Sequence, residues 1–305
     1  MFELIKPGTT FDFVGYRFYA VTASLVVIVL GLLSVMVRGM NYGIDFAGGT
    51  LVHVKFHQAA SVGEIRGALE SISAKDVTVQ DFGASGSNEY IIRMVESDPE
   101  LKQGLTQQVS AALAERFKGK SEFEVLRVES VGPPVGKDLR QKAVLAVFAA
   151  TAVMGIYIAV RFELRFGIGA AVALLHDVAV AVGALSLTRI EFDLTTVAAL
   201  LTIVGYSVND TVIVSDRIRE NMKKNRREPM ASVMNRSINE TLSRTILTAS
   251  TVLLALYLLG GEIIHGFAFT LLVGIVVGTY SSIFVASPIV LYLDFKPKPR
   301  AKAAA

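Results

Sequence analysis

Ionisable residues inside otherwise apolar stretches are the groups in this sequence most suited to chemistry. His176 and Asp177 lie midway along one apolar stretch. Asn209 and Asp210 lie near the end of the next, and Arg244 begins a later one. A charged group inside a membrane costs at least about 2.5 kcal/mol, so such groups usually mark a proton path, an internal ion pair or another functional site.

Asp210 and Arg244 are predicted to fall in the same half of the membrane, where they could form a carboxylate–guanidinium pair. Arg keeps its proton at any working pH, so only the Asp can titrate. Protonation of Asp210 would release Arg244, and deprotonation would recapture it, which is the minimum chemistry of a proton-coupled switch. In the alternative interpretation, Asp210 is a packing group and Arg244 reaches from a helix end to the membrane surface.

The neighbouring pair His176 and Asp177 is open to a structural interpretation, as an interhelical hydrogen bond. Two membrane-embedded carboxyls, Asp177 and Asp210, also raise the possibility of an aspartyl protease in which they share a proton. Their predicted depths differ by about half a leaflet at a rise of about 1.5 Å per residue, which argues against that dyad. The sequence contains no Cys, which excludes disulfides and thiolate chemistry. We predict no enzymatic activity, no catalytic residues and no metal site.

The composition predicts a polytopic α-helical membrane protein. Of the residues, 52% are hydrophobic and 19% are charged, and the mean hydropathy is +0.51. These values exclude disordered scaffolds, secreted disulfide modules and ordinary cytoplasmic enzymes. The formal charge of +3 is explained by an orientation bias of Lys and Arg, so no nucleic-acid partner is predicted. Six transmembrane helices are predicted, at residues 18–37, 143–160, 166–188, 195–214, 246–260 and 267–293.

The distribution of Lys and Arg predicts the orientation of these helices. One side of the membrane collects sixteen of these residues in its short loops and tails, whereas the other side's short loops contain only Arg189. Positive residues favour the cytoplasm, so both termini are predicted to be cytoplasmic. The cytoplasmic parts are then the N-terminus 1–17, a basic loop 215–245 and a basic tail 294–305. The basic loop could bind anionic lipid or a cytoplasmic partner, or could simply reflect the orientation bias.

Residues 38–142, between the first two predicted helices, show the pattern of a folded soluble domain. Alternation over 50–56 predicts a strand, and Ser61 with Glu64 forms the signature of a capping box at the start of a helix. Further strands are predicted near 77–82, 89–95 and 122–131, with a second helix starting at 97–100. The order β-α-β-β-α-β predicts an α+β ferredoxin-like domain, in which two helices cover one face of a four-stranded antiparallel sheet.

The segment GIDFAGGT, residues 43–50, is rich in glycine but is not a nucleotide-binding loop, because no Lys-Ser/Thr pair follows the glycines and Thr50 begins a strand. We interpret it as a backbone device. Gly43, Gly48 and Gly49 would permit positive φ, and Asp45 would cap a turn.

Four segments of the sequence together resemble the SecF family, the smaller half of the SecDF accessory complex of bacterial protein export. They are GIDFAGGT at 43–50, LLHDV at 174–178, GYSVNDTVIVSDRIREN at 205–221 and LSRTILTASTVLLALYLLGG at 242–261. Gly205 is the first residue of the third segment. The resemblance extends over nearly the whole chain. It places the chain in the resistance-nodulation-division superfamily, as half of a twelve-helix assembly.

The resemblance implies a function and a set of partners. The chain would pair with SecD and act at the SecYEG translocon and its accessory subunits in the bacterial inner (plasma) membrane. The complex would use the proton-motive force, with no cofactor, to complete preprotein translocation after the ATP-driven action of SecA. Asp210 would be the proton-responsive carboxylate and Arg244 its partner, while residues 38–142 would be periplasmic. The alternative is a proton-coupled exporter of small molecules or lipids from the same superfamily.

Overall fold

The computed structural model describes residues 10–70, 72, 75–82, 86–95, 102–225, 227–259 and 265–293. The elements, in chain order, are α1 (Arg17–Arg38), α2 (Ile44–Ala47), β1 (Gly49–Phe56), α3 (Val62–Leu69), β2 (Lys75–Phe82), β3 (Glu89–Val95), α4 (Lys102–Phe117), β4 (Phe123–Val131), α5 (Pro133–Arg161), α6 (Leu164–Thr188), α7 (Leu194–Lys224), α8 (Met230–Leu259), α9 (His265–Ser281), a π-helical turn (Ser282–Ala286) and α10 (Ser287–Tyr292).

Five helical segments in the described part of the chain are long and apolar enough to cross a membrane. They are α1, α5, α6, α7 and the continuous run from α9 through α10, and each contains one of the predicted spans. The remaining predicted span, 246–260, falls in the second half of α8, which is not among the five. The chain is therefore a multi-pass membrane protein. The predicted number of six spans is not confirmed.

Helix α5 begins earlier than the sequence indicated. Its first residue is Pro133, about ten residues before the predicted span at 143–160. Proline suits the first turn of a helix because its missing N–H would have no partner there. The predicted boundary between 38–142 and 143–293 therefore falls inside one continuous helix.

The inserted segment contains a four-stranded antiparallel sheet with the strand order β2-β3-β1-β4. Its strands lie where the alternation of apolar residues predicted them. The capping box is confirmed, since the Ser61 side chain accepts from the Glu64 N–H while the Glu64 side chain accepts from the Ser61 N–H. The predicted start of the second helix at 97–100 lies outside the described residues. Side chains from the sheet, α3 and α4 form one apolar core, which includes Val52, Ile92 and Leu113.

Glycines allow the membrane helices to approach each other closely. A Cβ atom added to Gly31 of α1 would lie 3.0 Å from the Cα of Gly183 in α6. In α9, an added Cβ on Gly278 would lie 3.1 Å from the Cβ of Ser207 in α7. These close contacts involve α6 and α7, and about half of the apolar stretch of each helix is buried.

Candidate functional site

Asp177 is a fully buried carboxylate that joins three helices. Its Oδ2 atom accepts hydrogen bonds from Ser207 Oγ of α7 at 2.6 Å and from Ser281 Oγ of α9 at 2.8 Å. Its Oδ1 atom lies 2.9 Å from Nδ1 of the adjacent His176. Both carboxylate oxygens are therefore paired, as a buried carboxylate requires.

His176 connects this carboxylate to α1. Its ring stacks on that of Tyr280 at 6.3 Å between centroids. The Tyr280 hydroxyl donates to the carbonyl oxygen of Ala20 at 2.7 Å and accepts from Ser24 Oγ at 3.1 Å. A continuous set of polar groups thus extends from α1 through α9 to α6 and α7.

Asp210 is almost as buried as Asp177, but it has fewer partners. Its Oδ2 atom accepts one long hydrogen bond, from Thr279 Oγ1 at 3.4 Å. Its Oδ1 atom is buried and has no hydrogen-bond partner among the described residues. A buried carboxylate oxygen without a partner is costly, and such an atom usually has a functional explanation.

The direct ion pair between Asp210 and Arg244 is absent in this structure. No salt bridge within 4.0 Å joins the two side chains, both of which lie in the described part of the chain. The reason is geometric, since Asp210 faces Thr279 of α9 whereas Arg244 lies on the exposed side of α8. Arg244 is nevertheless close enough for its charge to act on Asp210 through space.

Asn209 and Gly205 lie one helical turn apart on the exposed side of α7. An added Cβ on Gly205 would meet no other atom within 4 Å. Neither residue contributes to the buried polar cluster. Their place in the family motif is therefore not explained by packing within this chain.

The two carboxyls do not form a dyad. Asp177 bonds to Ser207 and Ser281, whereas Asp210 bonds to Thr279, and no hydrogen bond between the two carboxyls occurs among the described side chains. Nor do these residues contain a cluster of three or more His, Asp or Glu that could hold a metal ion.

Sequence reasoning missed the polar residues of α9 that complete this site. Ser281 donates to Asp177 and is followed directly by the π-helical turn Ser282–Ala286. Such turns carry one extra residue per turn and are frequent at functional sites. The run of small polar residues Thr279, Ser281 and Ser282 in an otherwise apolar helix was the available signal.

The structure of the segment GIDFAGGT differs in two respects from what its sequence predicted. Gly48 and Gly49 have positive φ, of 78° and 133°, but Gly43 has an ordinary φ of −69°. Asp45 does not cap its own turn. Its Oδ2 atom accepts from the backbone N–H of Leu194 at 3.0 Å, and so caps the distant helix α7, whose first N–H groups need acceptors.

Close backbone approach explains these glycines better than turn geometry alone. An added Cβ on Gly48 would lie 2.8 Å from the Cα of Pro133, and one on Gly136 would lie 3.1 Å from the backbone N of Gly48. An added Cβ on Gly43 would lie 2.5 Å from a carboxylate oxygen of Glu191. The segment is therefore wedged between the start of α5 and the loop before α7. Gly136 was not singled out from the sequence.

Fold and site together define a multi-pass membrane protein with an α/β segment inserted after its first helix and buried carboxylates between later helices. Residues 110–296 match the family described as "Protein export membrane protein SecD/SecF, C-terminal", and residues 33–60 match the SecD/SecF GG motif. The chain belongs to the SecD/SecF family of protein export membrane proteins.

Relatives of known name support the same assignment. The protein translocase subunit SecF of Magnetococcus marinus is 48% identical over 99% of this chain and 97% of its own length. The SecF subunit of Vibrio alginolyticus is 42% identical over 97% of this chain and 94% of its own length. This chain accordingly acts as an accessory subunit in protein export, as its motifs predicted, and the names of its relatives describe transport components.

Two solved structures of SecDF resemble this chain. SecDF from Thermus thermophilus, described as a translocon-associated membrane protein, superposes with a TM-score of 0.80 at 40% identity. A super-membrane-facing form of SecDF gives a TM-score of 0.68 at 39% identity. These matches cover 93% and 96% of this chain, respectively, but the chain spans only 39% of each SecDF chain.

Proposed function

We propose that this chain pairs with SecD and uses the proton-motive force to complete preprotein translocation at the SecYEG translocon, after ATP-driven action by SecA. The observation that carries the proposal is Asp210, a buried carboxylate in a membrane helix with one oxygen lacking a partner. A group in this state changes its interactions strongly when it gains or loses a proton.

The position of Arg244 supports a switch with two arrangements. The guanidinium lies on the exposed side of α8, while Asp210 faces α9. We assign this arrangement to the separated state, in which Asp210 is protonated. Loss of the proton would leave a buried negative charge, which would draw Arg244 and α8 towards α7.

The hydrogen bonds of Asp177 suit a residue that stays fixed while Arg244 and α8 move. Asp177 ties α6 to α7 and α9 through Ser207 and Ser281. His176 extends the network to Tyr280 and α1. We place His176 and Asp177 in the proton-coupling site as positioning groups, and Asn209 on the surface that SecD would cover.

An exposed face of α7 suits a partner helix. Ala198, Thr202, Gly205 and Asn209 recur at helical spacing on this face, and all four are exposed. Small and weakly polar residues allow membrane helices to approach closely and to share hydrogen bonds. SecD is the natural occupant of this face, since the chain spans 39% of a SecDF chain.

The finer topology belongs to the same proposal. We infer six transmembrane helices, with the second half of α8 as the fifth, and both termini in the cytoplasm of a bacterium with the chain in its inner membrane. Residues 38–142 would form a ferredoxin-like periplasmic domain, which the strand order β2-β3-β1-β4 supports. The basic loop 215–245 and the tail 294–305 would face anionic lipid. The proton gradient would supply the energy, and no cofactor would be required.

Preprotein translocation in membrane vesicles tests the proposal. Vesicles would contain SecYEG, SecA, SecD and this chain, and the completion of a translocation intermediate would be timed with and without a proton gradient. We expect the gradient to accelerate completion with the wild-type chain and not with Asp210→Asn. Asp216→Asn, a change on the same helix, serves as the control and should respond like wild type. An equal response from Asp210→Asn would instead favour a scaffold or a proton path lying wholly in SecD.

A further inference from the structure

An ion pair connects the inserted α/β segment to the membrane helices. Arg93 lies on strand β3, and Glu191 lies in the loop 189–194 between α6 and α7. Their charged groups are in direct contact, and the two side chains are only 19% and 22% exposed. Partial burial makes such a pair stronger and more specific in geometry than one fully exposed to solvent.

Backbone hydrogen bonds hold the loop that carries Glu191. The N–H of Phe192 donates to the carbonyl of Asn41 at 2.7 Å, and the N–H of Gly43 donates to the carbonyl of Phe192 at 2.9 Å. The side-chain amide of Asn41 donates to the carbonyl of Arg189 at 2.8 Å. The loop is therefore fixed to the chain that leaves α1, and Arg93 adds the contact with the sheet itself.

The loop leads directly into α7. Asp193 caps α7 by accepting from the N–H of Thr196 at 2.8 Å, and Asp45 accepts from the N–H of Leu194. Asp210 follows Leu194 by about sixteen residues of the same helix, or about 24 Å at a rise of 1.5 Å per residue. A displacement of α7 at Asp210 would thus reach Glu191 through one uninterrupted helix.

We propose that Arg93 and Glu191 are positioning residues that clasp the inserted segment to the outer end of α7, so that movement of this helix orients the segment. This inference rests on the proposed function, in which Asp210 drives α7. The name clasp refers here to the Arg93–Glu191 contact alone.

The charges around Glu191 give the clasp a specific pH dependence. The groups that face its carboxylate are Arg93 from β3, Asp45 from α2 and Asp193 from its own loop. Burial raises the pKa of Glu191 to about 7, the Arg93 guanidinium opposes the rise, and the carboxylates of Asp193 and Asp45 add to it. Of these groups only Arg93 belongs to the sheet, and it lowers the pKa of Glu191, so release of the sheet would raise this pKa further. Protonation of Glu191 removes its attraction to Arg93, and the clasp should therefore loosen as the outer pH falls through 7.

A distance measurement on the full chain tests this clasp. The sequence contains no Cys, so two introduced cysteines can carry spin labels without background. Lys118→Cys labels the exposed end of α4, and Leu187→Cys labels the exposed end of α6. We expect the ratio of docked to undocked distances to fall between pH 8 and pH 6, because protonation of Glu191 removes its attraction to Arg93.

Variants separate the clasp from a general structural effect. Glu191→Gln imitates the protonated acid and cannot form the ion pair with Arg93, so its distances should be broad and independent of pH. Arg93→Glu should broaden the distances at pH 8, and the reversed pair Arg93→Glu with Glu191→Arg should restore them. Glu89→Gln is the control, because Glu89 lies on the same strand but pairs with Lys55 and His53.

Distances that respond to neither pH nor Arg93→Glu would overturn the clasp. That failure is distinct from failure of the proposed function. Asp210→Asn should abolish the response of translocation to a proton gradient while leaving the pH dependence of the labelled distance intact. If translocation with Asp210→Asn still responded to the proton gradient, the proposed function would be wrong, but the conclusion from the labelled distances would stand.

Discussion

The two membrane-embedded carboxyls, Asp177 and Asp210, lie on neighbouring helices but differ in their hydrogen bonding. Asp177 accepts from two serines and lies within hydrogen-bond distance of His176, whereas Asp210 accepts one long bond and keeps one oxygen without a partner. A fully paired carboxylate stabilises its surroundings, and a poorly paired one changes its interactions more readily with its proton. On this difference we propose a positioning role for Asp177 and a switching role for Asp210.

Replacing each Asp by Asn should therefore affect the stability of the chain to different extents. Asp177→Asn replaces one acceptor oxygen by an NH2 group and removes the charge that strengthens the bonds from Ser207 and Ser281, which should lower stability by about 1–3 kcal/mol. Asp210→Asn should change stability by less than about 0.5 kcal/mol, because few hydrogen bonds depend on that carboxylate. Thermal unfolding in detergent measures both. A larger loss for Asp210→Asn than for Asp177→Asn would contradict these assignments.

The sequence drew attention to the membrane-embedded carboxyls but did not indicate all of their partners. Asp177 and Asp210 stand out because charges are rare in apolar helices. The separation of Arg244 from Asp210 depends on the rotation of α8 about its axis, which its mixed polar and apolar pattern leaves open. Ser207 and Ser281 were missed as ligands of Asp177 because serines in membrane helices commonly bond to their own backbone.

Contact between α7 and α9 decides whether the polar cluster can form. Gly278 lets Ser207 approach α9, and Ser281 then reaches Asp177 from the next helical turn. Gly205 on the opposite face of α7 has no neighbour within 4 Å. Gly278 thus allows close packing within the chain, whereas Gly205 faces outward from α7.

Enlarging these two glycines should separate folding from assembly. Gly278→Val should clash with Ser207 and destabilise the chain by about 1–3 kcal/mol. Gly205→Val should leave the stability of the isolated chain nearly unchanged but weaken its association with SecD. Thermal unfolding and co-purification with SecD report the two effects. Normal association of Gly205→Val would count against α7 as the partner surface.

The glycines of the GIDFAGGT region offer a second matched pair. Gly39 and Gly48 both have positive φ, of 68° and 78°, but only Gly48 lies against Pro133. Gly39→Ala should cost about 1 kcal/mol through backbone strain alone, and Gly48→Ala should cost more because strain and overlap add. Unfolding temperatures of the two variants provide the comparison, and equal losses would show that the contact with α5 is unimportant.

Strands and most helices were predictable because each follows a regular period of apolar residues. Strand β1 alternates and helix α3 carries its own capping box, so both are specified locally. Residues 133–142 of α5 are mostly polar, so hydropathy indicated only the apolar part of this helix, at 143–160. Helix α8 likewise begins in a basic stretch, so hydropathy indicated only its apolar second half.

The whole molecule joins two parts that the sequence treats as separate. Hydropathy predicted a soluble segment and a helical membrane region. The described residues contain a four-stranded sheet in the inserted segment and five helical segments long and apolar enough to cross a membrane. The contacts between them, from Asp45 to Leu194 and from Arg93 to Glu191, were not predicted. Each contact joins residues about 100 or more positions apart. The sequence around either residue contains no pattern that indicates its partner. We propose that these contacts connect Asp210 in α7 to the inserted segment.

The most direct test of the central claim is proton movement itself. Proteoliposomes containing SecYEG, SecD and this chain, with a preprotein engaged, would carry a trapped pH-sensitive dye while a membrane potential is imposed. The account predicts proton flux with the wild-type chain and with Asp216→Asn, and its loss with Asp210→Asn. Flux of the same size in Asp210→Asn would contradict the claim that Asp210 couples protons to protein export.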